Sequence, residues 1–429
     1  MKHRSPAGVF DIVPTSPKEE WRETHRWLYL EAVIREVTEL FTFQEIRTPL
    51  FERTELFQKS TGETSDIVTK EMYTFEDKGK RSMTLRPEGT PSVLRALIEH
   101  QLTSVQKLYY IAPMFRYERP QAGRYRQHHQ FGAEVIGYAA PEQDAELIDM
   151  VMTLYKRLGI KNLHVSLNSI GDLGTRARYK EALCSYLKLH FDELSEDSQR
   201  RFTTNPMRIL DSKSAQDIAI TAKAPSILDF LSEDTAAHFE KVQEYLTALE
   251  IPYTLNPFLV RGLDYYDNTV FEIISNDLGA QNSIGGGGRY NGLIKQMGGA
   301  DTPAIGFATG MERILQVMLA QNVPFPDKAG PELFLIALGD QAKAPCMHIL
   351  RHLRSEGISV EMDFSGKKLQ KVMQYANLRG SRHVAVIGDN ELAEDRVNLK
   401  IMETGESIAT PLSELAKHLQ KNNPEPVKQ

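Results

Sequence analysis

Trp27, Leu30, Ile34, Val37 and Phe41 recur at alternating steps of three and four, the spacing that keeps one face of a helix apolar. Upstream, Ser16-Pro17-Lys18-Glu19 has the form of a capping box with proline at the first helical position, so an amphipathic helix is expected. The chain then turns extended through FQEIRTPLFERTELFQKS, where Pro49, without an N–H, fits only a strand end, an edge or a bend. Between Lys107 and Tyr138 two strand-like runs, KLYYIAPMFRY and RQHHQFGAEVIGY, flank a polar loop and predict a long antiparallel hairpin. Alternation along the second run puts Arg126, His128, Gln130, Gly132 and Glu134 on one side and Phe131, Ala133 and Val135 on the other. Residues 142–158 read as helix, and HVSLNSIG as a short strand ending at Gly171.

A charged, mostly helical stretch follows, which looks inserted into something else. Strand signals then resume with NTVFEIIS, SIGGGGRYNGL and AIGFATG, and a helix starts near Met311. Beyond the Pro/Gly-containing PFPDKAGP, strands alternate with helices, which implies a compact α/β module with a mainly parallel sheet. The expected organisation is therefore an α+β domain over 1–171 and 246–323, interrupted by a helical insertion at 172–245. A linker at 324–331, an α/β module at 332–423 and a tail at 424–429 complete it.

Composition alters this picture little. The 429 residues are 41% hydrophobic and 25% charged, ordinary for a globular protein with several domains. The N-terminal MKHRSPAGVFDIVP carries no apolar stretch and ELFLIAL is too short to span a bilayer, so the expected location is the cytoplasm, with no membrane partner. Cys184 and Cys346 lack metal-ligand or disulfide spacing, and no protein-held metal or prosthetic group is expected. A net charge of -6 means that any nucleic-acid surface must be local.

The hairpin offers such a locality. Arg116, Arg119, Arg124 and Arg126 fall within eleven residues beside one acid, Glu118. Arginine forks match phosphate and carboxylate oxygens, which suits ATP phosphates or an RNA backbone; a solvated hairpin is the alternative. In LRPEGT, Glu88 and Thr90 flank Gly89 and could receive an ammonium group, or could cap the following helix. Arg261, Asp264, Tyr265 and Tyr266 crowd LVRGLDYYDNTVFE and cannot all be surface filler. IGGGGRYNGL fits no phosphate-loop pattern, so its glycines are read as permitting close approach of backbone to a flat ligand or a neighbouring strand. Arg313 sits in the first turn of a helix, where backbone N–H groups also favour anions. In the last module Lys367, Lys368, Lys371, Arg379 and Arg382 follow one another without an intervening acid, either a solvated face or an RNA-facing helix.

In order, the helix and strand ending at Pro49, MFRYERPQAGRYRQHHQFGAEVIG and GFATGMERI resemble motifs 1, 2 and 3 of class II aminoacyl-tRNA synthetases. LVRGLDYY and GGGGRYNGL are similar to signatures of the histidyl-tRNA synthetases, and the resemblance spans nearly the whole chain. It implies an antiparallel catalytic sheet flanked by helices, a helical insertion, a C-terminal anticodon-binding domain and a homodimer joined through motif 1. The implied reaction activates histidine with ATP and Mg²⁺ and passes it to the 3′-terminal adenosine of tRNA(His). By the same carry-over, Glu88, Gly89, Thr90 and Gln130 hold the histidine ammonium group, and Glu134 and Tyr266 contact the imidazole. Tyr265 and Tyr290 line that pocket. Arg116 and Arg313 grip ATP, Arg124 assists at the phosphates, and Arg261 meets the α-phosphate and the histidine, with Arg261 and Arg116 as the catalytic pair. Gln121, Arg126, Lys367, Lys368 and Lys371 are the implied tRNA contacts. Two departures stand out: Asn291 where the family's GGRYDGL has Asp, and His128 where motif 2 has Phe, both placed at the pocket.

Two other readings compete. A catalytically inactive paralogue regulating ATP phosphoribosyltransferase would bind histidine without making the adenylate, but typically lacks the last module and key arginines. A class II synthetase for proline, threonine or glycine would not be expected to carry RGLDYY and Glu134.

Overall fold

The computed structural model describes residues 3–421 except 16, 63–64, 103, 119–123, 276–281 and 329. Two compact units divide between Phe325 and Pro326.

The first unit is built on an eight-stranded sheet. Its strands in chain order are β1 (Gln44–Glu45), β2 (Gln106–Phe115), β3 (Gln127–Ile136), β4 (Leu163–Ser169), β5 (Tyr253–Leu255), β6 (Asp267–Ser275), β7 (Ser283–Arg289) and β8 (Ala304–Gly310). Across the sheet they run β1-β2-β3-β8-β7-β6-β4-β5. The six central strands pair antiparallel, whereas the short edge strands β1 and β5 join parallel. The hairpin β2–β3 keeps an unbroken register from Gln106↔Ile136 to Phe115↔Gln127. A separate three-stranded sheet is made of Phe51–Arg53, Ser82–Leu85 and Tyr73–Glu76, in the order first, third, second along the chain.

Helices α1 (Thr24–Leu40), α2 (Thr90–Glu99), α3 (Pro141–Arg157) and α4 (Met311–Ala320) cover this sheet. Phe131, Ala133, Val135, Phe271 and Phe307 face a core that includes Leu30, Ile34 and Val37 of α1 and Leu147 and Val151 of α3. Leu108, Tyr110, Met114 and Val270 face a second core, with Val93 and Leu94 of α2. Covering both faces is what turns a polar position on a strand into a buried polar group.

Helix α1 starts at Thr24 rather than beside Pro17, and Ser16 of the expected capping box lies outside the described residues. Among the described residues a 3₁₀ turn, Glu20–Arg22, precedes it. The cause is tertiary: Val13 accepts from Thr24 N–H at 2.9 Å and donates to Arg22 O at 3.0 Å, holding Glu23 between them extended. The segment after Pro49 also departs from its extended reading, because Thr54–Thr61 is helical with Phe57 fully buried.

Between β4 and β5 the chain forms helices Leu173–Lys188, Glu196–Thr204, Ala215–Thr221 and Glu233–Ala248, with short 3₁₀ turns between them. The last of these packs on α3 in the first core through Phe239, Val242 and Leu246. After it the chain returns to complete the main sheet.

The second unit carries β9 (Leu333–Ala337), β10 (Val360–Met362), β11 (His383–Ile387), β12 (Arg396–Ile401) and β13 (Ser407–Pro411), ordered β10-β9-β11-β12-β13. Its sheet is half antiparallel, because β11–β12 and β12–β13 pair in that sense. The mainly parallel sheet expected from the alternation is corrected on that point: no helix separates β12 from β13, so they close as a hairpin. Among the described residues no helix is long and apolar enough to cross a membrane.

Candidate functional site

The polar side of β3 is the floor of the site. LRPEGT leads into α2, whose N-cap is Gly89 and whose first turn receives no side-chain cap. Glu88 and Thr90 therefore do not serve as caps; both turn to other partners. Thr90 Oγ1 donates to Glu134 Oε1 at 2.6 Å, and Tyr290 OH donates to the other oxygen of Glu134. Glu88 accepts from Thr61 Oγ1 at 2.8 Å and from Tyr265 OH at 2.9 Å. Both carboxyl groups are buried. Burial pushes Glu134 up to about 8, although the Thr90 and Tyr290 hydroxyls pull the other way. It raises Glu88 as well, opposed by Thr61, Arg116 and Tyr265. Buried carboxyls of this kind suit a ligand that brings its own N–H donors or positive charge.

Glycines make the room. Gly306 of β8 pairs with Glu134, and a Cβ there would lie 1.7 Å from Glu134 Oε2. In the IGGGG run a Cβ on Gly287 would meet Gly306 O at 2.0 Å, and one on Gly286 would meet Arg261 Nη1 at 2.6 Å. Tyr110 lies between Gly89 and Gly132, where added Cβ atoms would each fall 2.2 Å from its ring Cζ. Gly89 thus serves here as packing space for a tyrosine. The rings of Tyr265 and Tyr266 stand 4.7 Å apart, and those of Tyr265 and Tyr290 5.7 Å apart, walling the same chamber.

Starting at Gln130, one alternate position along β3 from Gly132 and two from Glu134, lies a cleft of about 1010 Å³ bordered by Arg116, Arg124, His128, Arg261 and Arg313. Each guanidinium is held. Arg116 Nε donates to Pro87 O at 2.8 Å and Arg313 Nη1 to Ser283 O at 2.6 Å. Arg261 pairs with Glu272, and Arg124 with Glu118 at 3.2 Å. Burial, then the neighbouring Arg116 charge, push His128 down to about 3, so it adds no positive charge at neutral pH. Four fixed arginines around one cleft form an anion site, next to a chamber made for a cation or N–H donors.

The remaining sequence candidates lie elsewhere. Arg126 stacks over the Tyr117 ring at 4.2 Å, while its N–H donates to Gly8 O at 2.7 Å, tying the N-terminal segment to the hairpin. Gln121 lies outside the described residues. Lys367, Lys368 and Lys371 are exposed on the second unit, at and beside the N-terminus of Leu369–Leu378. Arg379 and Arg382 of the same basic run pair with Glu361 and Glu332. Asn291 is not a pocket residue: its Oδ1 accepts from Ala304 N–H at 3.1 Å and lies 3.4 Å from Arg289 Nη1. Arg289 itself is fully buried against Asp144.

Thr61, Tyr110 and Glu272 belong to the site but are not evident from sequence. A charged residue inside the apolar run VFEII could have flagged Glu272, whereas nothing local distinguishes Thr61.

A family model described as histidyl-tRNA synthetase matches residues 19–314, and one described as anticodon binding domain matches 332–422. The histidine–tRNA ligase of Protochlamydia amoebophila is 59% identical over 97% of this chain and 99% of its own length. That of Geobacillus thermodenitrificans is 46% identical over 98% of both chains. The chain belongs to the histidyl-tRNA synthetase family. Its fold agrees with that of apo Staphylococcus aureus histidyl-tRNA synthetase, at a TM-score of 0.82, 38% identity, and 98% and 100% coverage of the two chains. As a family member it is an enzyme, an aminoacyl-tRNA ligase of class II. The expected class II architecture, an antiparallel catalytic sheet flanked by helices with an α/β anticodon-binding domain, holds. The histidyl match over 19–314 and the histidine–tRNA ligase relatives along nearly the whole chain displace a prolyl, threonyl or glycyl reading.

Proposed function

We propose that the tyrosine-walled chamber takes L-histidine, that the arginine cleft takes ATP, and that the junction between them makes histidyl-adenylate. The observation that carries this is the nearness of buried Glu88 and Glu134 to the arginine cleft: Arg116 is bonded to Pro87 O beside Glu88, and Arg261 stands 5.8 Å over the Tyr266 ring. Glu88, Thr90 and Gln130 receive the ammonium group, with Gly89 giving the turn its space. Glu134 accepts an imidazole N–H, and Tyr265, Tyr266 and Tyr290 enclose the ring. Histidine's carboxylate then faces Arg261, where it attacks the α-phosphorus; the new C–O–P link forms as the bond to pyrophosphate breaks. Negative charge growing on the phosphoryl oxygens meets Arg261 and Arg116, while Arg313 and Arg124 hold the rest of the triphosphate. Glu118 and Glu272 of this cleft are paired with arginines, and Mg²⁺ is taken to enter on the triphosphate. In the second step the terminal ribose hydroxyl of tRNA(His) attacks the adenylate carbonyl and AMP leaves. Gln121 and Arg126 serve the acceptor end, and Lys367, Lys368 and Lys371 the anticodon end.

We also assign a homodimer joined through the segment ending at Pro49, supported by the exposure of Leu50 and of Phe51 and Phe75, whose rings meet at 6.0 Å. A cytoplasmic location fits these substrates. The deciding assay is exchange of labelled pyrophosphate into ATP. Exchange that requires histidine and Mg²⁺ is expected, and its absence in folded protein refutes the catalytic reading. Exchange driven by another amino acid would refute only the specificity.

A further inference from the structure

The loop that carries Arg261 has little structure of its own. Between Leu259 and Tyr266 it forms no helix or strand, yet Arg261 has to stay aligned with a reacting phosphorus. Side chains from the inserted helices hold it. Arg208, in the 3₁₀ helix Pro206–Asp211, donates from Nη1 to Arg261 O at 3.1 Å. Its Nη2 lies 3.3 Å from a carboxylate oxygen of Asp66, a residue on another wall of the same cleft. Asn205, just before that turn, donates to Asp264 Oδ1 at 3.2 Å. From the far side Arg176 Nη1 donates to Tyr266 O at 3.0 Å. Arg201 adds a second, longer approach to Asp66 at 3.7 Å.

Two of these contacts end on backbone carbonyls of the loop, at Arg261 and Tyr266, one on the Asp264 side chain within it, and the rest on Asp66 beside it. A carbonyl fixed by a charged donor in a partly buried place is held more strongly than one bonded to water. We infer that the inserted helices hold the Arg261 loop in register, and that Arg208 is a positioning residue for Arg261. This rests on the proposed role of Arg261. Arg208 joins three pieces of chain, the insertion, the loop and the Asp66 segment, so its loss frees the loop; it too borders the cleft, and a direct hold on ATP would show instead as weaker ATP binding.

The test is a double-mutant cycle in single-turnover histidine activation, using Arg208→Ala, Arg261→Ala and the pair in the full-length protein. Arg208→Ala is expected to slow activation about ten- to hundredfold, the scale on which a misplacement of order 1 Å acts. Histidine and ATP affinities should stay within about threefold, and in the Arg261→Ala background the further loss should be under about twofold. Arg208→Lys, which keeps a charged donor, should recover most of the rate. Should Arg208→Ala not fold, Arg176→Ala is read in the same cycle. An equal proportional loss in both backgrounds overturns the positioning role while leaving the role of Arg261 intact. An unimpaired Arg261→Ala overturns the role of Arg261, and the positioning role with it.

Discussion

Replacing Glu134 by glutamine should make the ligand-free protein more stable and its histidine binding weaker. Glu134 is 1% exposed, and burial raises its carboxyl from 4.5 to about 8. At pH 7 the unfolded chain ionises this group while the folded chain keeps it protonated, so folding there costs about 3 kcal/mol at ~1.4 kcal/mol per unit. The sign follows from the raised value: the folded state binds the extra proton. The group's favourable contribution is whole below about pH 4.5 and disappears as pH rises to about 8. Glutamine does not titrate. It leaves one of the two hydroxyls, Thr90 or Tyr290, without its acceptor, a loss of about 1 kcal/mol. The variant should therefore be more stable by about 2 kcal/mol at pH 7 and about 4 kcal/mol above pH 8, a rise of a few degrees in Tm, with no gain near pH 5. Thermal melts of both proteins from pH 5 to 8.5 measure the gap, and calorimetric titration with histidine should show more than about tenfold weaker binding. A gap that does not change with pH, or a variant less stable at pH 8, would show that Glu134 does not titrate in this way.

Gly132→Ala places a Cβ 2.2 Å from Tyr110 Cζ and should destabilise the protein by about 1–3 kcal/mol while weakening histidine binding, read by melting and titration. Arg289→Ala takes the arginine from buried Asp144, which keeps Thr269 and His238, and should cost about 3 kcal/mol in chemical denaturation. Changing Lys367, Lys368 and Lys371 together to alanine should leave pyrophosphate exchange unaltered. It should lower tRNA(His) affinity and flatten its dependence on salt, by about one in the log–log slope for each phosphate no longer neutralised.

Local pattern carried far in this chain because the periodic elements agree with their tertiary setting. The 3.6-residue apolar stripe of α1, the two-residue alternation of β3 and the start of α4 at Met311 all survive in the fold. Where the reading failed, a long-range contact had overruled it. The pairing of Val13 with 22–24 delays α1 to Thr24, and the hairpin β12–β13 makes the second sheet half antiparallel. The same holds at the site. The arginines of motif 2, Arg261 and Arg313 were legible as anion-binding types, but Thr61, Tyr110 and Glu272 acquire their places only when distant segments meet.

Sequence by itself determined the order of the elements, the α+β class, the family through its motifs and the residue types available for chemistry. Each of these depends on neighbours along the chain, or on short signatures that stay together whatever the rest does. Tertiary structure decided which polar groups lose water and which partners replace it. Glu88 and Thr90 were equally fit to cap α2. They turn to Tyr265, Thr61 and Glu134 because a sheet covered on both faces buries that side of β3, and buried oxygens and hydroxyls must find one another.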